Sequence, residues 1–239
     1  MLIKAGRHVS RLAVICLLLC ITLSAGFYVW YDNMMKVAGP HQDDVLVVVE
    51  PGSGHNTLRH VLNRAGVLHQ IYHYDAARIL AGTDFSPKAG EFLLPARTNL
   101  NGILSTIDRG YSYQRKLMIV EGLRSADVLK LVNATTNLTG SVKSMPEEGS
   151  LRPETYFYVH GTPRQALINR MQESRERALA EAWSGRAKNL PYDKPHDALI
   201  MASIIEKEAS SVDDRRLVAA VFLNRLKKGM RLQSDPTVL

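Results

Sequence analysis

The sequence predicts an α+β chain held behind an N-terminal membrane-crossing helix: a small α+β unit first, then a larger mixed α/β domain. Three observations predict it. Residues 12–30 carry no charge, and a helix needs ~20 apolar residues to cross a bilayer. Residues 45–132 alternate short β-branched runs with helical patterns, punctuated by Gly and Pro. Beyond residue 141 long helical patterns surround one aromatic strand.

The apolar run comes first in the chain. Lys4, Arg7 and Arg11 precede it, while Lys36 beyond it is offset by Asp32. The bias of Lys and Arg toward the cytoplasmic side keeps residues 1–11 inside and exports the chain from about residue 31. Ser24-Ala25-Gly26 would suit a cleavable signal. The run nevertheless continues through Phe27, Tyr28 and Trp30, an aromatic cluster suited to a membrane interface, so a retained anchor over residues 12–30 is expected. Leu19 before Cys20 is too large for a lipid-attachment site.

The two cysteines, Cys16 and Cys20, lie inside the apolar run. The exported part therefore relies on packing, not on disulfides. A net charge of +7, three of it from the cytoplasmic tail, fits an anionic membrane or wall surface. Nucleic acid is excluded as a partner, since no basic motif interleaved with aromatics occurs.

Residues 31–43 read as a linker. Val45 to Val49 then form a β-branched strand, residues 50–54 a turn, and Leu58, Val61, Leu62 and Ala65 one face of a helix stopped at Gly66. A second helix covers residues 71–80. Glu91-Phe92-Leu93-Leu94 is a returning strand, and Asn99 opens a helix with Ile103, Leu104 and Ile107 that ends at Gly110. Leu117 to Val120 form another strand, followed by Ser125 as the cap of a helix with Ala126, Leu129 and Val132. A strand, two helices and a returning strand have the outline of a LysM-like module, here over residues 44–116.

The larger domain, residues 117–239, holds the chemistry. Residues 145–158 form a loop entering the strand Tyr156-Phe157-Tyr158, and residues 164–183 form a long amphipathic helix. On the following helix Glu206 falls in an apolar sector with Ala198, Leu199, Ala202, Ile205 and Ala209. A carboxyl desolvated there has a raised pKa and suits a general acid. Glu208 falls between Ile204 and Met201, so the wheel does not choose between the two acids. The next helix opens near Asp213-Asp214 and closes with Lys227-Lys228 before Gly229, matching the helix dipole. Its Asn224 lies between Leu217 and Ala220 on the apolar side, where a buried amide must be hydrogen-bonded. Gln233-Ser234-Asp235 form a polar loop stiffened by Pro236.

Three segments carry a family resemblance: Ala202-Ser203-Ile204-Ile205-Glu206-Lys207-Glu208-Ala209, Val221-Phe222-Leu223-Asn224-Arg225-Leu226, and Gly229-Met230-Arg231-Leu232-Gln233-Ser234-Asp235-Pro236-Thr237-Val238. Together they resemble the signature of the MltG (YceG-like) endolytic murein transglycosylases. Glu148-Gly149-Ser150-Leu151-Arg152-Pro153-Glu154-Thr155-Tyr156 resembles a second motif of that family, with Arg152 and Glu154 departing from its pattern.

The resemblance implies a single-pass inner-membrane enzyme that cuts nascent glycan strands between N-acetylmuramic acid and N-acetylglucosamine, leaving 1,6-anhydromuramoyl ends. It implies Glu206 as the catalytic acid, which decides the tie with Glu208. Asn224, Arg225, Gln233, Ser234, Asp235 and Thr237 line the glycan groove, with Glu208, Glu148 and Tyr156 as supporting positions. No metal and no cofactor are implied; the partners are glycan strands, the inner membrane and peptidoglycan synthases. The family's catalytic domain continues well past the position matched by Leu239, so a C-terminally incomplete domain is expected. The competing reading is a membrane-anchored, peptidoglycan-binding scaffold without turnover.

Overall fold

The computed structural model describes residues 2–80, 85–209 and 211–234, with side chains from residue 14 onward. The chain divides into two compact units, Met1–Tyr113 and Gln114–Leu239.

The first unit begins with α1 (Leu2–Lys36), whose segment Val14–Lys36 is long and apolar enough to cross a membrane, with mean hydropathy 2.0. The helix does not end at residue 30. It runs to Lys36, so the first part of the expected linker is helical. The reason is packing: Met34 is buried in the core of the first unit, with Tyr31 and Met35 against it, and buried contacts sustain a helix more than propensity does.

That core lies between a hairpin-like sheet and four helices. Strand β1 (Val45–Val49) pairs antiparallel with β2 (Gly90–Leu94), Val47 opposite Phe92. Between them come α2 (His55–Arg64) and α3 (Ile71–Leu80); α4 (Leu100–Arg109) follows. Val47, Leu58, Leu62, Tyr74, Phe92, Ile103 and Ile107 are almost wholly buried, and full burial of such side chains is worth about 1.5–3 kcal/mol each. The strand, two-helix, strand order is the one the sequence predicts. So are the limits of α4: Asn99 accepts the Gly102 N–H at 2.8 Å, and Gly110 closes the helix in the left-handed conformation at φ 72°.

In the second unit β3 (Arg115–Met118) pairs antiparallel with β5 (Thr155–Tyr158), Leu117 opposite Tyr156. Between them lie α5 (Ser125–Ala134) and β4 (Leu138–Thr139); the latter runs parallel to β6 (Thr162–Pro163). The long α6 (Arg164–Ser184) buries Leu167, Ile168 and Met171 against Val128, Val132, Tyr156 and Tyr158. Its first residue fastens the layer. The Arg164 guanidinium donates to the carbonyls of Val132, Asn133, Thr135, Leu138 and Gly140, satisfying the open end of α5.

Two more helices complete the described chain, α7 (Pro195–Glu208) and α8 (Val212–Lys227). They share a smaller core of Met201, Ile204 and Phe222, with Tyr192, Val218, Leu226 and Leu232 packed against it. Here the helical wheel misplaces the buried faces. Ala202 is exposed on α7; on α8 Leu217, Ala220 and Asn224 are exposed, and Phe222 is the buried residue. Residues 198–205 and 217–223 are apolar almost all round, so periodicity marks no single side and the bulkiest ring takes the interior.

Candidate active site

Glu206 sits in the last turn of α7, two residues beyond the buried Ile204. The expectation of a carboxyl enclosed in an apolar sector does not hold: 33 % of its side chain is exposed. Because Met201 and Ile204 take the interior, Glu206 is rotated to the rim. There the Arg215 guanidinium, 46 % exposed in the first turn of α8, donates from Nη2 to Glu206 Oε1 at 2.9 Å. The two residues are brought together because only Ala209, Ser210 and Ser211 separate the helices. Ser211 also caps α8 by accepting the Asp214 N–H at 3.2 Å.

The charge-assisted bond holds one carboxyl oxygen, Oε1, of a side chain that stays partly exposed. A carboxyl held in this way is restrained in its rotamer and still reaches solvent. The sequence leaves open that either glutamate is a helix-surface acid paired with Lys207 or Arg215, and the Arg215 pair forms with Glu206. The signal was the short break between the helices, which returns the first turn of α8 onto the last turn of α7.

The loop after α8 is fastened to both helices. Arg225 donates from Nη1 to the Leu232 carbonyl. Ser234, 4 % exposed, donates its hydroxyl to Glu208 Oε1. Both Arg225 and Ser234 thus hold the loop in place, and Glu208, itself exposed, is its anchoring acceptor. Between them Gln233 has φ at 52°, a left-handed backbone that costs free energy in a non-glycine residue and is held by its fastened neighbours. Asn224 is exposed on α8 and not a buried clamp. Asp235 and Thr237 lie outside the described residues.

The second motif packs against the same helix from another direction. A Cβ on Gly149, whose φ is 70°, would lie 3.2 Å from Leu199 Cδ2. Leu199 is two turns before Glu206 on one face of α7. Glu148 acts elsewhere, since both of its oxygens accept the Ser125 N–H, at 3.2 and 3.1 Å, while Ser125 donates its hydroxyl to the Glu147 carbonyl. Ser125, expected as a helix cap, is instead the first helical residue, and the cap is supplied from Glu148. Tyr156 is buried and donates to the Arg152 carbonyl at 2.8 Å, its phenol pKa raised by burial. Arg152 and Glu154 meet on Ser174, which donates to Glu154 at 3.2 Å and accepts from Arg152 at 3.3 Å. Glu148 and Tyr156 therefore shape the loop that touches α7. Among the described residues no group of His, Cys, Asp and Glu is placed to hold a metal ion.

A sequence model described as the YceG-like family matches residues 47–239. An endolytic murein transglycosylase of Streptococcus pneumoniae (serotype 2, strain D39) is 26 % identical over 280 residues, covering 97 % of this chain and 50 % of that protein. One from Bacillus subtilis (strain 168) is 43 % identical over 95 residues, covering 39 % of this chain and 26 % of that protein. The chain spans about half the length of the first of these relatives. A crystal structure of a YceG-like protein from Listeria monocytogenes is 25 % identical, covering 82 % of this chain and 75 % of that one, with a TM-score of 0.39.

Proposed function

Because the chain belongs to the YceG-like family, we propose that it acts as an endolytic murein transglycosylase on nascent peptidoglycan, with Glu206 as its acid and base. The observation that carries the reading is the pose of Glu206: one oxygen held by Arg215 and 33 % of the side chain exposed, on the helix against which the second motif packs.

The proton on Oε2 of Glu206 passes to the glycosidic oxygen linking N-acetylmuramic acid to N-acetylglucosamine. The C1–O bond breaks and the departing sugar leaves with a free hydroxyl. Positive charge develops at C1 of the muramoyl residue, and its own C6 hydroxyl closes onto that carbon. Glu206, now a carboxylate, takes the C6 proton and is regenerated. One carboxyl serves both steps, and no water enters; the second carboxylate of an ordinary glycosidase is not required. Asn224 and Gln233, beside the Glu206 helix pair, supply amides for sugar hydroxyls and acetamides; Asp235 and Thr237 extend that lining. Arg225, Ser234 and Glu208 keep the loop in register.

The remaining assignments follow the same reading. Val14–Lys36 anchors the protein in the inner membrane with residues 1–11 in the cytoplasm and both units in the periplasm. The β1-α2-α3-β2 arrangement serves as a LysM-like glycan-binding module. Cleavage within growing strands ends their extension, which makes peptidoglycan synthases the natural partners.

The test is incubation of the purified chain with isolated glycan strands, followed by mass spectrometry of the ends. New 1,6-anhydromuramoyl ends, absent with Glu206→Gln, are expected. Reducing ends formed by water would refute the mechanism, and no cleavage would refute the activity.

A further inference from the structure

The last turn of α1 does more than join the anchor to the first unit. Trp30 is 43 % exposed and packs its ring 5.7 Å from Phe27 at the end of the apolar run; such aromatics settle at the membrane–water boundary. Met34, already in the core, is four residues further along, about 6 Å at 1.5 Å per residue. The headgroup layer on each side of a bilayer is roughly 5–8 Å deep. Whatever packs beside Asn33 to Val37 therefore lies within that layer or on its surface.

What packs there is the corner between α2 and α3. A cleft of about 180 Å³ is lined by Trp30, Asn33, Met34, Val37, His69 and His73. His69 donates from Nε2 to the Ala38 carbonyl, 2.8 Å away, which fixes the corner against the chain leaving α1. Next to His73, with ring centroids 4.8 Å apart, stands Tyr72, 55 % exposed and directed away from the core. Burial, and then neighbouring His69, lower the pKa of His73, so it meets a low-dielectric layer as the neutral ring, without the cost of burying a charge.

We infer that this cleft and Tyr72 form a second membrane contact, seated on phospholipid headgroups around α1 and holding the first unit down on the bilayer. The occupant follows from continuity: the same helix that ends in the core is the one that crosses the membrane, with no flexible segment between. The cleft offers the Trp30 indole N–H and the Asn33 amide as donors for headgroup phosphate, and the Tyr72 ring has the amphipathic form favoured at that depth. The inference rests on the membrane-anchored reading above.

The test uses the full chain in nanodiscs of phosphatidylethanolamine and phosphatidylglycerol, with Cys16→Ala and Cys20→Ala and a spin label at either Leu18→Cys or Tyr72→Cys. Both sites are exposed, so the labels perturb no core. Expected are a Leu18 label reached by oxygen but shielded from soluble nickel chelate, and a Tyr72 label broadened when nickel-chelating lipid is included. A Tyr72 label indifferent to nickel lipid but broadened by soluble nickel, with Leu18 still shielded, would overturn the headgroup contact alone. A Leu18 label open to soluble nickel would overturn the anchor, and the headgroup contact with it.

Discussion

Replacing Glu206 by Gln separates a catalytic residue from a structural one, because the two roles predict losses of different size. The substitution keeps the shape and removes the transferable proton. The Gln carbonyl oxygen can still accept from Arg215 Nη2, so only the ionic part of the 2.9 Å contact is lost. With side chains 46 % and 33 % exposed, such a pair contributes ~0.2–1 kcal/mol. For a chain of this size 1 kcal/mol moves the midpoint of melting by about 2–4 °C, so Tm should fall by less than that. Cleavage should fall far more: positioned acid–base groups contribute about 10²- to 10⁴-fold each, and on the proposed reading Glu206 acts in both steps. The assay pairs thermal melting with counting of anhydromuramoyl ends. Glu208→Gln is the comparison, since its carbonyl keeps the Ser234 hydrogen bond, and near wild-type cleavage is expected. Equal loss in both variants, or cleavage undiminished by Glu206→Gln, would refute the assignment.

Four further outcomes are expected. Glu148→Ala removes the acceptor at the start of α5 and should cost ~0.5–2 kcal/mol in chemical denaturation, with faster amide exchange in its first turn. Gly39→Ala would put a Cβ 2.3 Å from the Thr98 carbonyl oxygen and 2.7 Å from the His41 ring, so the first unit should lose roughly 1–3 kcal/mol by the same measurement. Arg225→Ala should release the loop from Gly229 to Ser234, read as faster exchange there and a raised KM on glycan strands with little change in Tm. Acid should weaken the first unit through His73. Its folded pKa lies below the unfolded value of ~6.5, so the unfolded chain binds the proton more readily. That stability is complete above pH 6.5 and declines as pH falls through and below it; His73→Gln should flatten this part of a Tm-against-pH curve.

Where sequence reasoning succeeded, each element had a local cause. Asn99 and Gly110 bound α4 through their own side chain and backbone, so both ends were legible without any tertiary knowledge. The β-branched run Val45 to Val49 and the apolar run Phe92 to Leu94, each bounded by Gly and Pro, marked β1 and β2 as strands for the same reason. Where it fell short, the decision was tertiary. The almost uniformly apolar stretches of α7 and α8 gave no preferred side, and the burial of Met201, Ile204 and Phe222 turned Glu206 to the rim and Asn224 to solvent. The cap of α5 comes from Glu148, which lies 23 residues away in sequence and leaves no local signature. Arg225 and Ser234 stood out in the sequence only through the family resemblance, and their intramolecular bonds to Leu232 and Glu208 depend on how the loop folds back.

The continuity of α1 into the first core constrains how the protein meets its proposed substrate. A flexible tether would let a glycan-binding module search the depth of the periplasm. Here Met34 shares one core with Val67, Leu68 and Leu100, and Tyr31 and Met35 pack against that core, so on the proposed reading lifting the unit off the bilayer would require pulling that turn out of the core. Exposing Met34 alone would cost about 1.5–3 kcal/mol of burial, so the packed state is favoured by an order of magnitude or more in population. A glycan-binding first unit held in this way would, on the proposed reading, reach only strands at the membrane surface. On the proposed reading, preference for nascent strands needs no special recognition of their chemistry: it follows from the height at which the anchor holds the unit.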